Sequence, residues 1–431
     1  MVSRIRRFIV RKGREWLGVP IGSGPVGVWS GYSADAIQLA RHVGCNYWAL
    51  RQPQQHPERI AAEVAARTCN WYIPPFENPF YGGIMTILRL ANHLLAKHGI
   101  HQRFLICGAA DRRAAHALAQ KAFPQLSQAE VLVLDSSEAI EAIPPSDYSI
   151  ATLWTTAYVL LGVQNTGNKY YMIQDFEPAF YPAGSTYAQA ELTYRFGFYG
   201  IANTQSIKEI YEREYGGQAV VLRPCIDTKV FHPAANERPS SPKRLFYYAR
   251  PGTPRNAFEL AAAALRLVKE RYADAVDIVC AGAGWDPKEF GLEGVVRNVG
   301  LLPYADTGDL YRSCHVGLVM MMTKHPSYLP FELMASGSIV VSNYNEANTW
   351  FLKDGENCLL SPPTASCLLD TVSYAIDQYE ALEPMRKRAA EDILKYFGSW
   401  NTSLEQVTQF VLKPPAGIPH PGSGSRFISS R

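Results

Sequence analysis

Two arginines carry the clearest chemistry. In the run YYARPGTPRNAFEL, Arg250 closes an apolar stretch of strand character and Arg255 stands directly before a long helical one. Cations so placed lie at the C-terminal edge of a sheet, where open α/β folds bind ligands. A guanidinium suits a diphosphate and stabilises negative charge growing on a leaving nucleotide. The plain alternative is a pair of surface arginines in a polar loop; the topology favours the functional reading. A second set is KHPSYLPFELMASG, which places Glu332 in the first turn of a short helix behind Pro330, preceded by Lys324 and Ser327. A carboxylate there accepts hydrogen bonds from ribose hydroxyls, and free backbone N–H groups meet a phosphate. Otherwise Glu332 is simply a favourable first-turn acid.

Two further groups face the same kind of edge. Gly82 and Gly83 fall between a strand and a helix, where a glycine pair admits close approach of a ligand to the backbone. Glycine is also common at such turns for steric reasons alone. KYYMIQDFEPAFYPAG sets Gln174, Asp175 and Glu177 in the loop after an apolar strand, with Tyr171, Phe180 and Tyr181 around them. Carboxylates that grip hydroxyls beside aromatic rings suit a sugar site. The D-x-E spacing also occurs in metal sites, but no other acidic cluster in the sequence supports one. Solvated acids in a turn are the bland reading, and the dense aromatic company weighs against it.

The elements that hold these residues follow from periodicity. From residue 69, apolar runs such as CNWYI, RFLIC and EVLVLD alternate with amphipathic segments such as IMTILRLANHLLAKHG, which ends on Gly99. A second series begins after the Pro/Ser/Asn-rich hinge 232–243 with RLFYYAR, a long helix and VDIVCAGAG. Strand–helix alternation of this length implies parallel sheets covered on both faces. Upstream, helices are expected over 33–43 and, from Ala content, near 58–66. EALEPMRKRAAEDILKYFG and SWNTSLEQVTQFVLK are helical, and PPAGIPHPGSGSR reads as a flexible tail or linker.

A chain of 431 residues exceeds one ordinary core, so two domains are expected. Its 47% hydrophobic and 19% charged residues exclude a disordered chain, and a net charge of +3 gives no ground for a nucleic-acid partner. Eight scattered cysteines without a C-x-x-C pair read as buried reduced thiols. No secretory signal and no apolar run of spanning length is visible, so a cytoplasmic location is expected. In MVSRIRRFIVRKGREWLG, apolar Ile5, Phe8, Ile9 and Trp16 recur near helical spacing, with Arg4, Arg7, Arg11, Lys12 and Arg14 among the basic residues between them. That pattern suits a helix lying on an anionic membrane surface; a basic helix docked on the protein is the alternative.

These motifs together resemble the retaining GT-B glycosyltransferases of family four. LRPCIDTKVFHP resembles the family's hinge segment, with Pro224 and Cys225 in place of its usual Asn-Gly. Arg250 and Arg255 resemble its Arg-x4-Lys pair, and Glu332 the second glutamate of its E-x7-E element. Lys324 stands where the first glutamate would grip the donor sugar. More narrowly, QDFEPAFYPAG with RPGTPRNAFEL resembles the S-layer-glycan rhamnosyltransferases of the WsaF type over roughly residues 68–400.

The resemblance implies an α/β, GT-B fold of two facing Rossmann-like domains with a cleft between them. The division is an N-terminal extension (1–67), an acceptor domain (68–225), a nucleotide-sugar domain (226–400) and a terminal helix with tail (401–431). The implied reaction moves L-rhamnose from dTDP-β-L-rhamnose to a growing, lipid-linked cell-surface polysaccharide with retention, without cofactor or metal. Gly82, Gly83, Arg250, Arg255, Lys324, Ser327 and Glu332 are expected at the donor. Gln174, Asp175, Glu177 and Tyr181 are expected at the acceptor, with Asp175 or Glu177 as positioning group or base. Peripheral contact with the inner face of the membrane falls to residues 1–18. A non-hydrolysing nucleotide-sugar epimerase and a non-catalytic glycan-binding scaffold share the fold and remain as alternatives.

Overall fold

The computed structural model describes residues 31–80, 82–234, 238–397 and 399–415. The basic segment 1–18 and the tail beyond 415 lie outside the described residues. Seven parallel strands build the first sheet: β1 (Thr68–Ile73), β2 (His101–Cys107), β3 (Glu130–Leu134), β4 (Ser146–Ala151), β5 (Thr166–Ile173), β6 (Tyr199–Ala202) and β7 (Gln218–Val221). Their order is β3-β2-β1-β4-β5-β6-β7. Six more build the second: β8 (Lys243–Tyr248), β9 (Val276–Ala281), β10 (Arg297–Asn298), β11 (Val316–Val319), β12 (Ile339–Asn343) and β13 (Leu359–Ser361). These run β10-β9-β8-β11-β12-β13, again all parallel. In each sheet the order reverses beside the first strand, β1 or β8, and such a switch point opens a crevice at the C-terminal strand ends.

The helices, in chain order, are α1 (Gly31–His42), α2 (Tyr47–Arg51), α3 (Gly82–His98), α4 (Arg112–Ala122), α5 (Ser137–Glu141), α6 (Trp154–Gly162), α7 (Ser185–Leu192) and α8 (Gln205–Tyr215). After the hinge come α9 (Phe258–Tyr272), α10 (Tyr304–Ser313), α11 (Leu329–Ala335), α12 (Ala365–Asp377), α13 (Glu383–Tyr396) and α14 (Trp400–Leu412). Side-chain caps set several starts: Asp111 accepts from the N–H groups of Arg113 and Ala114 at 2.7 and 3.0 Å, and Thr204 from Ile207 at 3.2 Å. α3 stops because Gly99 takes a left-handed φ of 68°.

Strands β4 and β5 are buried along their whole length, as sheets covered on both faces must be. One core lies between β1, β2, β5 and helix α3, and Leu404, Val407 and Val411 of α14 complete it. The last helix therefore returns from the second half of the chain to the first. Arg89 of α3 lies 4.6 Å from the Trp400 ring centroid, and the Tyr170 hydroxyl donates to the Val411 carbonyl at 2.7 Å.

The Ala-rich segment near 58–66 is not one helix. It forms two 3-10 turns, Pro57–Arg59 and Val64–Ala66, laid against the first sheet. The Ala61 N–H reaches the Asp147 carboxylate at 2.5 Å, and Arg67 donates to the Ala61 carbonyl at 2.7 Å. These long-range bonds replace the ladder that alanine propensity favours. Just upstream, buried Gln55 pairs with the Lys169 backbone in both directions, at 3.0 and 3.1 Å. The extension is thus stitched onto the first domain.

Candidate active site between the two sheets

The C-terminal ends of β8 and β11, side by side in the second sheet, lie across the crevice from that of β5. Asp175 follows β5 by two residues and partly faces solvent. One carboxylate oxygen accepts the N–H of Phe176 at 2.7 Å, and the other accepts the Thr323 hydroxyl, from the opposite domain, at 3.0 Å. Burial in the narrow cleft raises the Asp175 pKa to about 7, against the pull of Thr323 and the nearby Arg255. The guanidinium of Arg255 covers the face of Phe180, 4.6 Å from its centroid. Burial lowers the Arg255 pKa; Asp175 opposes that shift, while Arg250 adds like-charge repulsion.

The loop from Thr323 to Tyr328 supplies the rest of the second wall. Lys324 is exposed, its ammonium 6.0 Å from the Phe176 ring centroid. Ser327 holds a left-handed φ of 67°, a strained conformation for a residue with a Cβ and one that clusters at functional sites. That turn aims the Ser327 N–H at Nδ1 of His325, at 2.9 Å. Nδ1 is an acceptor there, and burial with nearby Arg255 lowers the ring's pKa to about 4. The proton of the neutral ring must sit on Nε2, which is buried and finds no partner among the described residues. Glu332, in the first turn of α11, has its pKa raised to about 8 by burial.

On the first-domain side, α3 starts at the glycine pair. A Cβ at Gly82 would lie 3.6 Å from the Tyr328 ring, and one at Gly83 would lie 3.4 Å from the Gln174 amide. Thr86, one turn along, meets the Tyr328 hydroxyl at 3.2 Å. Gln174 carries a buried amide oxygen without a partner among the described residues. Gly82, Gly83, Gln174, Asp175, Arg250, Arg255, Lys324 and Ser327 are thus gathered at one crevice, with Glu332 on the helix behind it.

Glu177 does not join them. Its side chain is 2% exposed and points inward. One carboxylate oxygen accepts the N–H of Trp154 at 2.6 Å, at the start of α6, and the Tyr171 hydroxyl at 2.8 Å. Burial raises its pKa to about 8 despite those bonds. An inward carboxylate that satisfies a helix N-terminus supports the wall rather than touching a substrate. Tyr181 likewise turns its hydroxyl to Trp154 Nε1, at 3.1 Å. Sequence reasoning missed Thr323, His325, Tyr328 and Thr86. The run KHPSY carried a signal for the middle two, since a His and a Tyr on the loop after a buried strand stand where ligands bind. A 730 Å³ depression among Arg59, Thr68, Ser146 and Gln164 sits at the opposite, N-terminal edge of the first sheet, away from these groups.

Models of the N-terminal and C-terminal domains of WsaF match residues 70–206 and 243–373, together more than half of the chain. The chain belongs to the WsaF family. The O-antigen biosynthesis protein RfbC of Myxococcus xanthus is 38% identical over 393 residues, which is 89% of this chain but 30% of the relative's length. Among solved structures, S. aureus TarM superposes with a TM-score of 0.63 at 9% identity, over 82% of this chain and 100% of that one. Anabaena HepE, solved with UDP and glucose, gives 0.61 at 15% identity over 80% and 99%. At such identities these two establish the shared fold. Among the described residues, no helix is long and apolar enough to cross a membrane.

Proposed function

We propose that this WsaF-family chain transfers L-rhamnose from dTDP-β-L-rhamnose to a hydroxyl of a growing cell-surface polysaccharide, with retention at the anomeric carbon. The observation that carries the reading is Arg255, seated on the Phe180 ring with Arg250 nearby, beside Asp175, whose carboxylate is bonded across the cleft to Thr323. The arginines hold the diphosphate and stabilise the charge it gains as the bond to the sugar breaks. The acceptor oxygen forms the new bond on the same face, and the departing phosphate takes the acceptor's proton. Asp175 orients the acceptor hydroxyl. Glu332 holds the nucleoside ribose, and the Gly82–Gly83 backbone admits the diphosphate.

His325 joins the donor set, because its Nε2–H is buried, fixed in direction and otherwise unsatisfied. No divalent ion is needed, since guanidinium groups meet the charge. The name of the Myxococcus relative supports a polysaccharide product, and the UDP bound to HepE supports a nucleotide-sugar donor. A lipid-linked acceptor places the enzyme at the cytoplasmic face of the membrane, reached through residues 1–18.

Calorimetry with dTDP, UDP and GDP tests the donor. dTDP is expected to bind tightest; a clear preference for UDP or GDP removes rhamnose while leaving the fold reading intact. Incubating the nucleotide sugar without acceptor tests the chemistry. Release of free nucleotide diphosphate with an epimerised sugar identifies an epimerase instead, and no turnover with any glycan acceptor identifies a scaffold.

A further inference from the structure

At the far end of α3 from the glycine pair, three side chains converge. His93 Nε2 lies 3.2 Å and His98 Nε2 3.1 Å from the same oxygen, Oε2, of Glu405. Both histidines belong to α3 and the glutamate to the returning helix α14. The imidazole rings stand 5.7 Å apart, tilted by 52°, and the three ligating atoms all lie within 4.8 Å of one another. The other oxygen of Glu405 accepts from Gln409 Nε2 at 2.7 Å, one turn along α14.

We propose that His93, His98 and Glu405 bind one Zn²⁺ ion that clips the terminal helix to the acceptor domain. Two imidazoles and one carboxylate are a standard zinc donor set, with a fourth position left for water. Bonds of about 2.0–2.1 Å at tetrahedral angles separate neighbouring ligand atoms by about 3.3 Å, close to the two distances observed. A plain hydrogen-bonded pair needs only one histidine on the carboxylate. Here two nitrogens from one helix point at one oxygen, and Gln409 fixes the carboxylate through its other oxygen, as supporting groups around metal ligands do. His93 is buried and His98 half-buried, with Glu405 nearer to solvent, so the ion has an entry path.

The site is remote from the reaction. From Gly83 to His98 along α3 is roughly 22 Å at 1.5 Å per residue, so the ion takes no part in sugar transfer. Its effect is mechanical: α14 is held where Leu404, Val407 and Val411 enter the first core.

The experiment uses the full chain, purified in chelator and then dialysed free of it. Titration with Zn²⁺ and with Co²⁺ is read by calorimetry, visible absorption and melting temperature. One equivalent is expected to bind, with Co²⁺ giving d–d bands but no thiolate charge-transfer band, and with a higher melting temperature. Glu405→Gln and His98→Asn are expected to lower affinity at least tenfold and to lose the thermal shift. Both variants alter partly exposed side chains, so circular dichroism without metal is expected to match the parent.

EDTA is expected to lower the melting temperature of the zinc-loaded chain while leaving initial transfer rates unchanged. Three results overturn the proposal: no binding by the parent, equal affinity in both variants, or a thiolate band that assigns the ion to the free cysteines. Loss of transfer in EDTA with zinc affinity intact in the variants instead counts against the metal-free reaction, so the two readings fail separately.

Discussion

The hydroxyl of Thr323 donates to the carboxylate of Asp175 at 3.0 Å, and this bond joins the two domains across the cleft. Asp175 has a raised pKa of about 7, caused first by burial. If it orients the acceptor hydroxyl as a hydrogen-bond acceptor, it works in the ionised form. Turnover should therefore climb with pH through about 7 and level off above. Asp175→Asn should flatten that limb and lower kcat by roughly a hundredfold, while the Kd for nucleotide diphosphate stays within a few-fold. A pH–rate series on both proteins decides it, and an unchanged limb in the Asn variant transfers the titration to another group.

Arg250 and Arg255 should act on the transition state more than on the bound donor, because the phosphate charge grows as the sugar leaves. Alanine at either position is expected to cost about 3 kcal/mol, on the order of a hundredfold in kcat, with little change in melting temperature. Arg255→Lys keeps the charge but loses the flat contact with Phe180, so intermediate activity is expected. Arg250→Lys should fare worse if both guanidinium nitrogens meet the diphosphate. Steady-state kinetics with melting curves make the test; near-normal turnover in both alanine variants moves the donor site elsewhere.

Glu177 should show itself in stability rather than in catalysis. Burial raises its pKa to about 8, so the folded chain keeps a proton that the unfolded chain releases at ordinary carboxyl pH. Its contribution is complete below the unfolded value, about 4.3, and is lost as pH rises through about 8. Glu177→Gln keeps an acceptor oxygen for Trp154 and Tyr171 and should flatten the fall in melting temperature between pH 5 and 8. Glu177→Ala strands both buried donors and should cost roughly 3 kcal/mol. Thermal scans across pH check both, and a Gln variant as pH-sensitive as the parent contradicts the inward carboxylate.

Membrane contact is testable on both sides of the extension. α2 exposes Tyr47 and Trp48, at 51% and 60%, and amphipathic aromatics of this kind favour the headgroup region. Flotation with vesicles rich in anionic lipid should recover the full chain at low salt and less of it as salt rises. Deleting residues 1–18 should remove most of the binding and Trp48→Ala a smaller part. Binding that survives the deletion unchanged reassigns the basic segment.

Much of the architecture was legible because buried parallel strands write themselves as apolar runs: VDIVCA and KYYMI need no neighbour to be read. Arg250 and Asp175 were legible for a related reason, since each follows such a run by two residues and so sits at a sheet edge, and Arg255 was legible from the long helix it precedes. What failed was local inference against long-range bonds. Alanines at 61–62 favour a helix until Asp147, 86 residues away, claims the Ala61 N–H. Glu177 looks like its neighbour Asp175 in sequence, and only the packing of α6 decides that one faces the cleft and the other the core. The His93–His98–Glu405 cluster spans more than 300 positions and has no local signature.

The return of α14 has a consequence for motion. The polypeptide leaves the first domain after β7 and re-enters it between Phe397 and Trp400, so the second domain is in effect an insertion with both attachment points on one neighbour. A body anchored at two points rocks about the line joining them and cannot swivel freely. Both ends of the described chain, α1 and α14, are packed on the first domain. A load fastened to either end would therefore travel with the first domain, while the second domain moved against it as a jaw.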